Sequence, residues 1–422
     1  MAEGSNRDII IIGGGVIGVC IAYELVKKGA SVVIVEQQDI AAGASYGNGG
    51  LIVPSHSVPL ASPGVPMQGL KWMFNAESPF YIKPRFDPQF YMWMMRFTLA
   101  SRHGPMMRAI PVLRDLLLAS RVLFDDIAIN GGFDFGYEQK GTLLVYLTPR
   151  ALEGGVEEAH LVGKFGVDSK ILNSTELHEL EPALLPQVIG GIQYVQDAHL
   201  DPARFVRGLA EKAKALGVRI LTKTEVLGLE MTNSRVTRVH TTRGILSAGQ
   251  YVLAAGAWSP AIVRDLKIKL PVQAAKGYSI TLERPQVSPQ IPLMFGEARV
   301  VVTPLGNQMR LAGTLELAGM DLSINPRRVA ALQKNSAKYL PGLDQPNILE
   351  IWRGLRPCTP DGLPVIGRAQ SCNNLIIATG HAMLGISLGP ITGKLVSQLA
   401  LDEKTELELF PLRLERFYRS SH

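Results

Sequence analysis

Residues 8–36 read DIIIIGGGVIGVCIAYELVKKGASVVIVE, and this stretch decides the fold. Residues 9–12 are an unbroken isoleucine run, the pattern of a parallel strand covered on both faces. Gly13, Gly15 and Gly18 follow at once as G-x-G-x-x-G. Residues 16–28 then read as a helix with Ile17, Ala22, Leu25 and Val26 on its inner face, and Gly29 ends it. Residues 32–35 form a second buried strand that delivers an acid, Glu36, at its C-terminal end. In such a unit the first glycine permits the tight turn, the second lets a pyrophosphate approach the backbone, and the third lets helix pack on strand. The phosphates sit at the helix N-terminus, where unpaired N–H groups and the dipole favour anions. Glu36 stands 36 − 18 = 18 residues past the last glycine. An acid there accepts hydrogen bonds from ribose hydroxyls and repels a 2′-phosphate, which argues against NADP. Strand, turn, helix, strand and acid in register define an adenine-dinucleotide site.

The remaining composition is that of an ordinary globular chain. Of 422 residues, 46 % are hydrophobic and 19 % charged, enough for two or three domains with substantial cores. Three cysteines, Cys20, Cys358 and Cys372, make no disulfide framework and read as reduced thiols. No C-x-x-C and no histidine pair at ligand spacing occurs, so no metal site is expected. The net charge of +6 carries no basic cluster with interleaved aromatics, which excludes nucleic acid as a partner. The leader MAEGSNR lacks an apolar centre, and no run of about 18 apolar residues occurs, so a cytoplasmic chain without a membrane span is expected.

Outward from the opening unit, residues 37–50 form a small-residue loop, AAGASYGNGG at its centre, suited to close approach of a cofactor. Residues 51–108 are Pro-rich and then carry FYMWMMRF at 90–97, and they read as an inserted lobe. That stripe has two readings: an amphipathic helix in the core of the lobe, or, with the Lys71, Trp72, Met73, Phe74 run and Lys83, Arg85, Arg96, Arg102 and Arg108 around it, a surface for a membrane or quinone. GTLLVYL at 141–147 is a strand. Asp201 and Pro202 open a helix, as N-cap and first residue. Residues 218–221 and 225–229 are short strands, and 235–240 with 245–253 form a hairpin about 242–244. Residues 269–314 alternate as β-structure, 325–339 as helix, and the chain closes on a strand, a glycine-flanked turn and a helix. His56 and His199 read as solvated loop histidines.

Through these residues the chain resembles the D-amino acid dehydrogenases, flavoproteins of the D-amino acid oxidase and glycine oxidase superfamily. The resemblance is carried by IIGGGVIG with Glu36, NGGLIVPSHSVPLASPGVPMQGLKWMF, GTLLVY, VLAAGAWS, KGYS, WRGLRPCTPDGLPVIG and TGHAMLG. It implies an α/β fold in which a Rossmann-type FAD domain (1–60, 146–262, 350–422) carries an inserted antiparallel β-sheet substrate domain (61–145, 263–349). It implies FAD held non-covalently, because Cys358 does not stand at the spacing of a flavin-linking cysteine.

The resemblance also assigns residues. Gly13, Gly15, Val16, Ile17, Gly18, Glu36, Gln37, Ala44, Ser45, Asn48, Gly49, Gly50 and Leu51 match nucleotide and flavin contacts. Val226 matches the backbone contact to adenine, and Gly256 and Trp258 a second flavin segment. Gly380, His381, Met383, Leu384, Gly385, Ile386 and Ser387 match the loop around the flavin pyrimidine. Arg356 matches the arginine that grips the substrate carboxylate, for which a guanidinium fork is suited. The tyrosine that assists it in glycine oxidases is Val301 here, and their flavin-loop arginine is Met383. Tyr278 is then the nearest candidate hydroxyl, and Asn48 is either substrate-facing or a turn residue. The implied reaction is hydride transfer from the Cα of a D-amino acid to the flavin, giving a 2-oxo acid and ammonia, with a quinone or respiratory acceptor and a peripheral membrane contact. The alternatives are an oxidase of glycine or a cyclic amine that uses O2, and a flavin subunit of an electron-transfer complex.

Overall fold

A computed structural model describes residues 7–72 and 78–418. Its first sheet has six strands in the order Val365–Ala369, Cys372–Thr379, Gln250–Leu253, Asp8–Ile12, Ser31–Val35 and Arg219–Leu221. All neighbours are parallel except the first two. The opening strand is central: Ile9 and Ile11 join the core on one face, Ile10 and Ile12 that on the other. This is why no polar residue interrupts its isoleucine run.

Helix Val16–Lys27 packs on this sheet and against the last helix, Gly385–Ala400. Two glycines set that contact. A Cβ on Gly389 would lie 2.8 Å from Val16 Cγ2, and one on Gly393 would lie 2.7 Å from the backbone of Cys20. A long helix, His103–Asn130, covers the other side of the last helix and adds Leu113, Leu116, Leu117 and Phe124 to the same core.

The second sheet has nine strands. Eight run in the order Ile348–Cys358, Gln273–Glu283, Gln308–Leu317, Val300–Leu305, Leu293–Phe295, Thr142–Tyr146, Gly190–Tyr194 and Lys170–Asn173, and Phe80–Ile82 adds to Gln308–Leu317. Period-two alternation gives it two distinct faces. Leu143, Val145, Leu293, Phe295, Val300 and Val302 pack with Val329 and Leu332 of helix Pro326–Ser336. Leu144, Tyr146, Met294, Val301, Ala312 and Thr314 line a cavity on the opposite side.

The α/β class expected from the sequence is the observed one, with three differences in detail. The expected hairpin arm 245–253 is two strands. Gly244–Leu246 pairs with Arg235–Thr241, whereas Gln250–Leu253 crosses to the centre of the first sheet, where its four residues are all buried. A strand apolar on both faces gains more in a parallel core slot than in a surface ladder. The expected divisions at 146 and 350 fall inside or beside strands: Lys170–Asn173 and Gly190–Tyr194 belong to the second sheet, and Ile348–Cys358 is its edge. Helix His103–Asn130, expected with the substrate lobe, joins the core of the first sheet instead.

The aromatic stripe forms helix Pro88–Ala100, capped by Asp87, whose side chain accepts from the Gln89 and Phe90 amides. Its inner face is the core helix of the first reading. Phe90, Trp93 and Phe97 are buried, with the last two rings stacked at 5.3 Å, while Tyr91, Met92, Met95 and Leu99 face outward. Met73 and Phe74 of the neighbouring run lie outside the described residues. Among the described residues no helix is long and apolar enough to cross a membrane.

Gly393→Ala should lower the denaturant midpoint by about 1–3 kcal/mol of stability, because its methyl meets backbone rather than a movable side chain. Gly163→Ala, with open space around its Cβ at a helix end, should be neutral or stabilising in the same measurement. Equal midpoints for the two variants would show that the glycine contact between the helices is not tight.

Candidate active site

The glycine turn is built as its spacing requires. Gly13 has φ +112°, and a Cβ there would lie 2.5 Å from the Ala254 carbonyl oxygen. A Cβ on Gly18 would lie 1.9 Å from the Gly13 carbonyl oxygen, so this glycine serves the helix–strand contact and does not line the cavity. The Val16 amide donates to Ser45 Oγ at 3.0 Å, which ties the small-residue loop to the helix N-terminus. The Glu36 carboxylate accepts from the Gly14 amide at 2.7 Å and the Gln38 amide at 2.8 Å. It thus fixes the glycine turn as well as standing where a ribose is read.

From this turn one cavity of about 1350 Å³ runs between the two sheets. Gly15, Val16, Ile17, Glu36, Gln37, Ala44, Ser45, Asn48, Gly49, Leu51, Val226, Gly256, Trp258, His381, Met383, Leu384, Gly385, Ile386 and Ser387 all border it, as does Gly13. Gly50 and Gly380 do not. They hold the adjoining backbone at φ +75° and +82°, where a Cβ would meet the Leu200 carbonyl oxygen at 2.2 Å and Thr359 at 2.5 Å. A continuous trough that starts at a helix N-terminus, passes an acid at a strand end and reaches a second sheet fits FAD. The glycine turn and the N-terminus of helix Val16–Lys27 would hold the pyrophosphate, Glu36 the ribose, and the loops of Gly49, Leu51 and Met383 the ring, which would supply the redox chemistry.

Arg356 reaches into the same cavity from the edge strand Ile348–Cys358. Its guanidinium lies over Gly277, where a Cβ would come within 2.3 Å of it. Strand Gln308–Leu317 bulges opposite Gly277 and turns the Gly313 and Thr314 carbonyls onto the guanidinium. Thr314 adopts φ +62° there, a strained conformation for a β-branched residue. No carboxylate among the described residues pairs with Arg356, and burial lowers its pKa. A buried cation held by carbonyl dipoles alone is completed by an anionic ligand. Trp93 and Phe97 wall this end, and the Trp93 indole donates to the Cys358 carbonyl at 3.1 Å. Burial pushes the Cys358 thiol up to about 12, which keeps it protonated and unreactive.

Three expectations are corrected. Tyr278 does not reach the cavity. It faces the helix Pro326–Ser336 side of the sheet, fully buried, and its hydroxyl accepts from the Asn325 amide at 3.2 Å. Gly277, one residue earlier, takes the cavity face, so alternation puts Tyr278 on the other side. Asn48 borders the cavity, but its side chain is engaged: Oδ1 accepts from the Gly50 amide at 2.9 Å and Nδ2 donates to the Met383 carbonyl at 3.5 Å. It is a turn residue that joins two flavin-side loops. His56 and His199 are not solvated: burial lowers both to about 4. The sequence reading also missed Trp352, whose indole lies against Gly47 and Gly354, and Thr314. The glycines flanking an indole were the available signal for the first. Thr314 had none, because a bulge depends on the register of neighbouring strands.

A dinucleotide-binding sheet facing a mostly antiparallel sheet, with Arg356 over the junction, defines a flavin-dependent oxidoreductase. The model of the FAD dependent oxidoreductase family matches residues 8–399, and the chain belongs to that family. It is 34 % identical over 419 residues to the D-amino acid dehydrogenase of Bradyrhizobium diazoefficiens, covering 97 % of this chain and 98 % of that one. It is 32 % identical to the D-amino acid dehydrogenase of Agrobacterium fabrum, covering 97 % and 99 %. Among solved structures, glycine oxidase from Geobacillus kaustophilus superposes with a TM-score of 0.79 at 25 % identity, over 97 % of this chain and 98 % of that one. L-proline dehydrogenase from P. horikoshii shares the fold, with a TM-score of 0.76 at 24 % identity over 99 % of each chain.

Buried titratable groups set the acid stability. His56 and His199 are held neutral at about 4 and His381 at about 3 by burial, against about 6.5 unfolded. Their contribution, on the order of 3 kcal/mol each, is complete above pH 6.5 and is lost as pH falls from 6.5 to the folded values. Asp197, raised to about 6 by burial, acts in the opposite sense and favours the fold as pH drops from 6 to 4. The denaturant midpoint should therefore fall between pH 6.5 and 4, and Asp197→Asn should steepen that fall. A profile flat across this range would refute the assignment.

Proposed function

We propose that this protein oxidatively deaminates D-amino acids to 2-oxo acids and ammonia, with the electrons passing to a quinone or another respiratory acceptor. The observation that carries the reading is Arg356, a cavity-facing guanidinium with no acidic partner among the described residues, at the junction of nucleotide trough and sheet. Arg356 donates to the substrate carboxylate through the N–H groups not engaged by Gly313 and Thr314, while those carbonyls hold the fork in place. Fixing the carboxylate orients Cα, and orientation supplies much of the rate. Bound FAD supplies the acceptor for the hydride that leaves Cα. Trp93, Phe97 and Trp352 exclude water from the reacting end. The imino acid hydrolyses after release. The preference for the D form is supported by the names of the full-length relatives, and Val301 at the position of the assisting tyrosine argues against glycine as the main substrate.

The quinone and membrane reading is supported by the outer face of helix Pro88–Ala100. Tyr91, Met92, Met95 and Leu99 are each about half exposed there, and Arg102 and Arg108 are exposed on the adjoining turn and helix. Apolar side chains beside cations suit the headgroup boundary of an anionic bilayer.

Under anaerobic conditions D-amino acids should bleach the flavin absorbance of the purified protein and L-amino acids should not. Bleaching by neither set would reject the function. Arg356→Ala should raise KM about 100-fold with FAD still bound, the loss expected when one partner of a desolvated charge pair is removed. Gly277→Ala should raise KM in the same direction by displacing the guanidinium, and an unaltered KM in both variants would place the carboxylate elsewhere.

A further inference from the structure

Beyond the arginine the cavity continues into a second lobe beneath helix Pro149–Gly163. Tyr146, Tyr194 and His56 line it, with Glu158 and Arg299 also on its wall. Tyr146 and Tyr194 are 5 % and 3 % exposed. Neither hydroxyl has a hydrogen-bond partner among the described residues, and neither is a sealed, unpartnered atom, so both open onto the cavity and are free to donate to a ligand there. Burial raises the pKa of both, so they are neutral donors. Tyr146 is also held rigidly. A Cβ on Gly155 would lie 1.9 Å from its hydroxyl, and one on Gly296 would lie 2.2 Å from its ring. Two glycines therefore leave space for this one ring.

His56 presents the complementary group. The Ser55 hydroxyl donates to Asp197 Oδ2 at 2.6 Å, and Asp197 also accepts from the Ser55 amide and from Thr142 Oγ1. The single Ser55 proton is thereby engaged, so at 3.1 Å the Ser55 oxygen accepts from His56 Nδ1–H. That fixes the tautomer and leaves Nε2 as a bare acceptor, with no partner among the described residues. The lobe thus holds two donors and one fixed acceptor, and the charged groups on the cavity wall around it, Glu158 and Glu297 with Arg150 and Arg299, balance in sign.

The sheet register gives the span to Arg356. Val145, Phe295, Val300 and Gly313 pair in one row across four neighbouring strands, and the Gly313 carbonyl accepts from Arg356. Tyr146 and Thr314 are the next residues along their strands. Their backbones are thus three strand spacings apart, roughly 14 Å. The Tyr146 side chain and the Arg356 guanidinium both enter this span, and Tyr194, opposite Thr142, stands four residues back along the Tyr146 strand on the same face.

We propose that this lobe binds the side chain of the amino acid whose carboxylate Arg356 holds, and that it selects a carboxamide, as in D-glutamine or D-asparagine. The amide carbonyl accepts from the tyrosine hydroxyls and the amide N–H donates to His56 Nε2. This rests on the function proposed above, and the test separates the two. Anaerobic flavin bleaching is measured for the holoenzyme with D-alanine, D-glutamine and D-norleucine, the last similar in length but unable to hydrogen-bond. Wild type should favour D-glutamine over D-norleucine in kcat/KM. Tyr146→Phe and Tyr194→Phe, which remove only a hydroxyl, should each lower that ratio about 3- to 10-fold, the range of one hydrogen bond. A ratio taken within one protein is insensitive to the fraction folded. Should D-alanine bleach the flavin while the ratio stays the same in both variants, the subsite is refuted and the function stands. Should no D-amino acid bleach it, both are refuted.

Discussion

A guanidinium placed in a cavity with only carbonyl oxygens for company is an unfinished ion pair. Desolvation of Arg356 works against its charge, and the Gly313 and Thr314 carbonyls offset part of that cost. Much of the second sheet is shaped by holding this group. Gly277 is small because the guanidinium lies on it, and Thr314 is strained because the bulge must turn two carbonyls inward. Such strain persists only where the surroundings over-determine it. Here the long antiparallel pairings of Gln273–Glu283 with Gln308–Leu317 and with Ile348–Cys358 do so.

The same alternation that places Arg356 divides the sheet into a structural face and a working face. Leu293, Phe295, Val300 and Val302 are buried against helix Pro326–Ser336, while Met294, Val301 and Ala312, interleaved with them, look onto the cavity. A one-residue slip would exchange the two sets. The buried pair Lys276 and Glu316, joined by Arg328 and Asp321, lies in the two strands that flank the bulge, and neither member survives alone in that setting. The Lys276–Glu316 pairing is also the last ladder step before the register shifts. This network therefore works against slippage as well as filling space.

The first sheet supplies a rigid platform of a different kind. Its strands are apolar on both faces, and glycines at 389 and 393 let the first and last helices meet almost backbone to backbone. Residues 393 − 20 = 373 positions apart thereby bring the glycine turn and the Met383–Ser387 loop to one trough. Cofactor positioning thus follows from helix packing as much as from any direct contact.

Local pattern alone determined the opening crossover, the acid at its end, the helix begun by Asp201 and Pro202, and the closing strand, turn and helix. Each depends on neighbours within one or two turns of chain, where period, capping and glycine spacing are written in consecutive residues. Arg356 and the residues of the trough were assigned by resemblance, and the cavity brings most of them together. Tertiary structure alone decided which side chains share a face. Tyr278 points into the core and its neighbour Gly277 into the cavity because of strand register, and no feature of KGYS distinguishes the two assignments. Likewise the slot taken by Gln250–Leu253, the bulge at Thr314 and the burial of His56 beside Ser55 and Asp197 depend on strands distant in sequence. Pairing between remote segments is a collective choice of the whole core, which is why it cannot be read one stretch at a time.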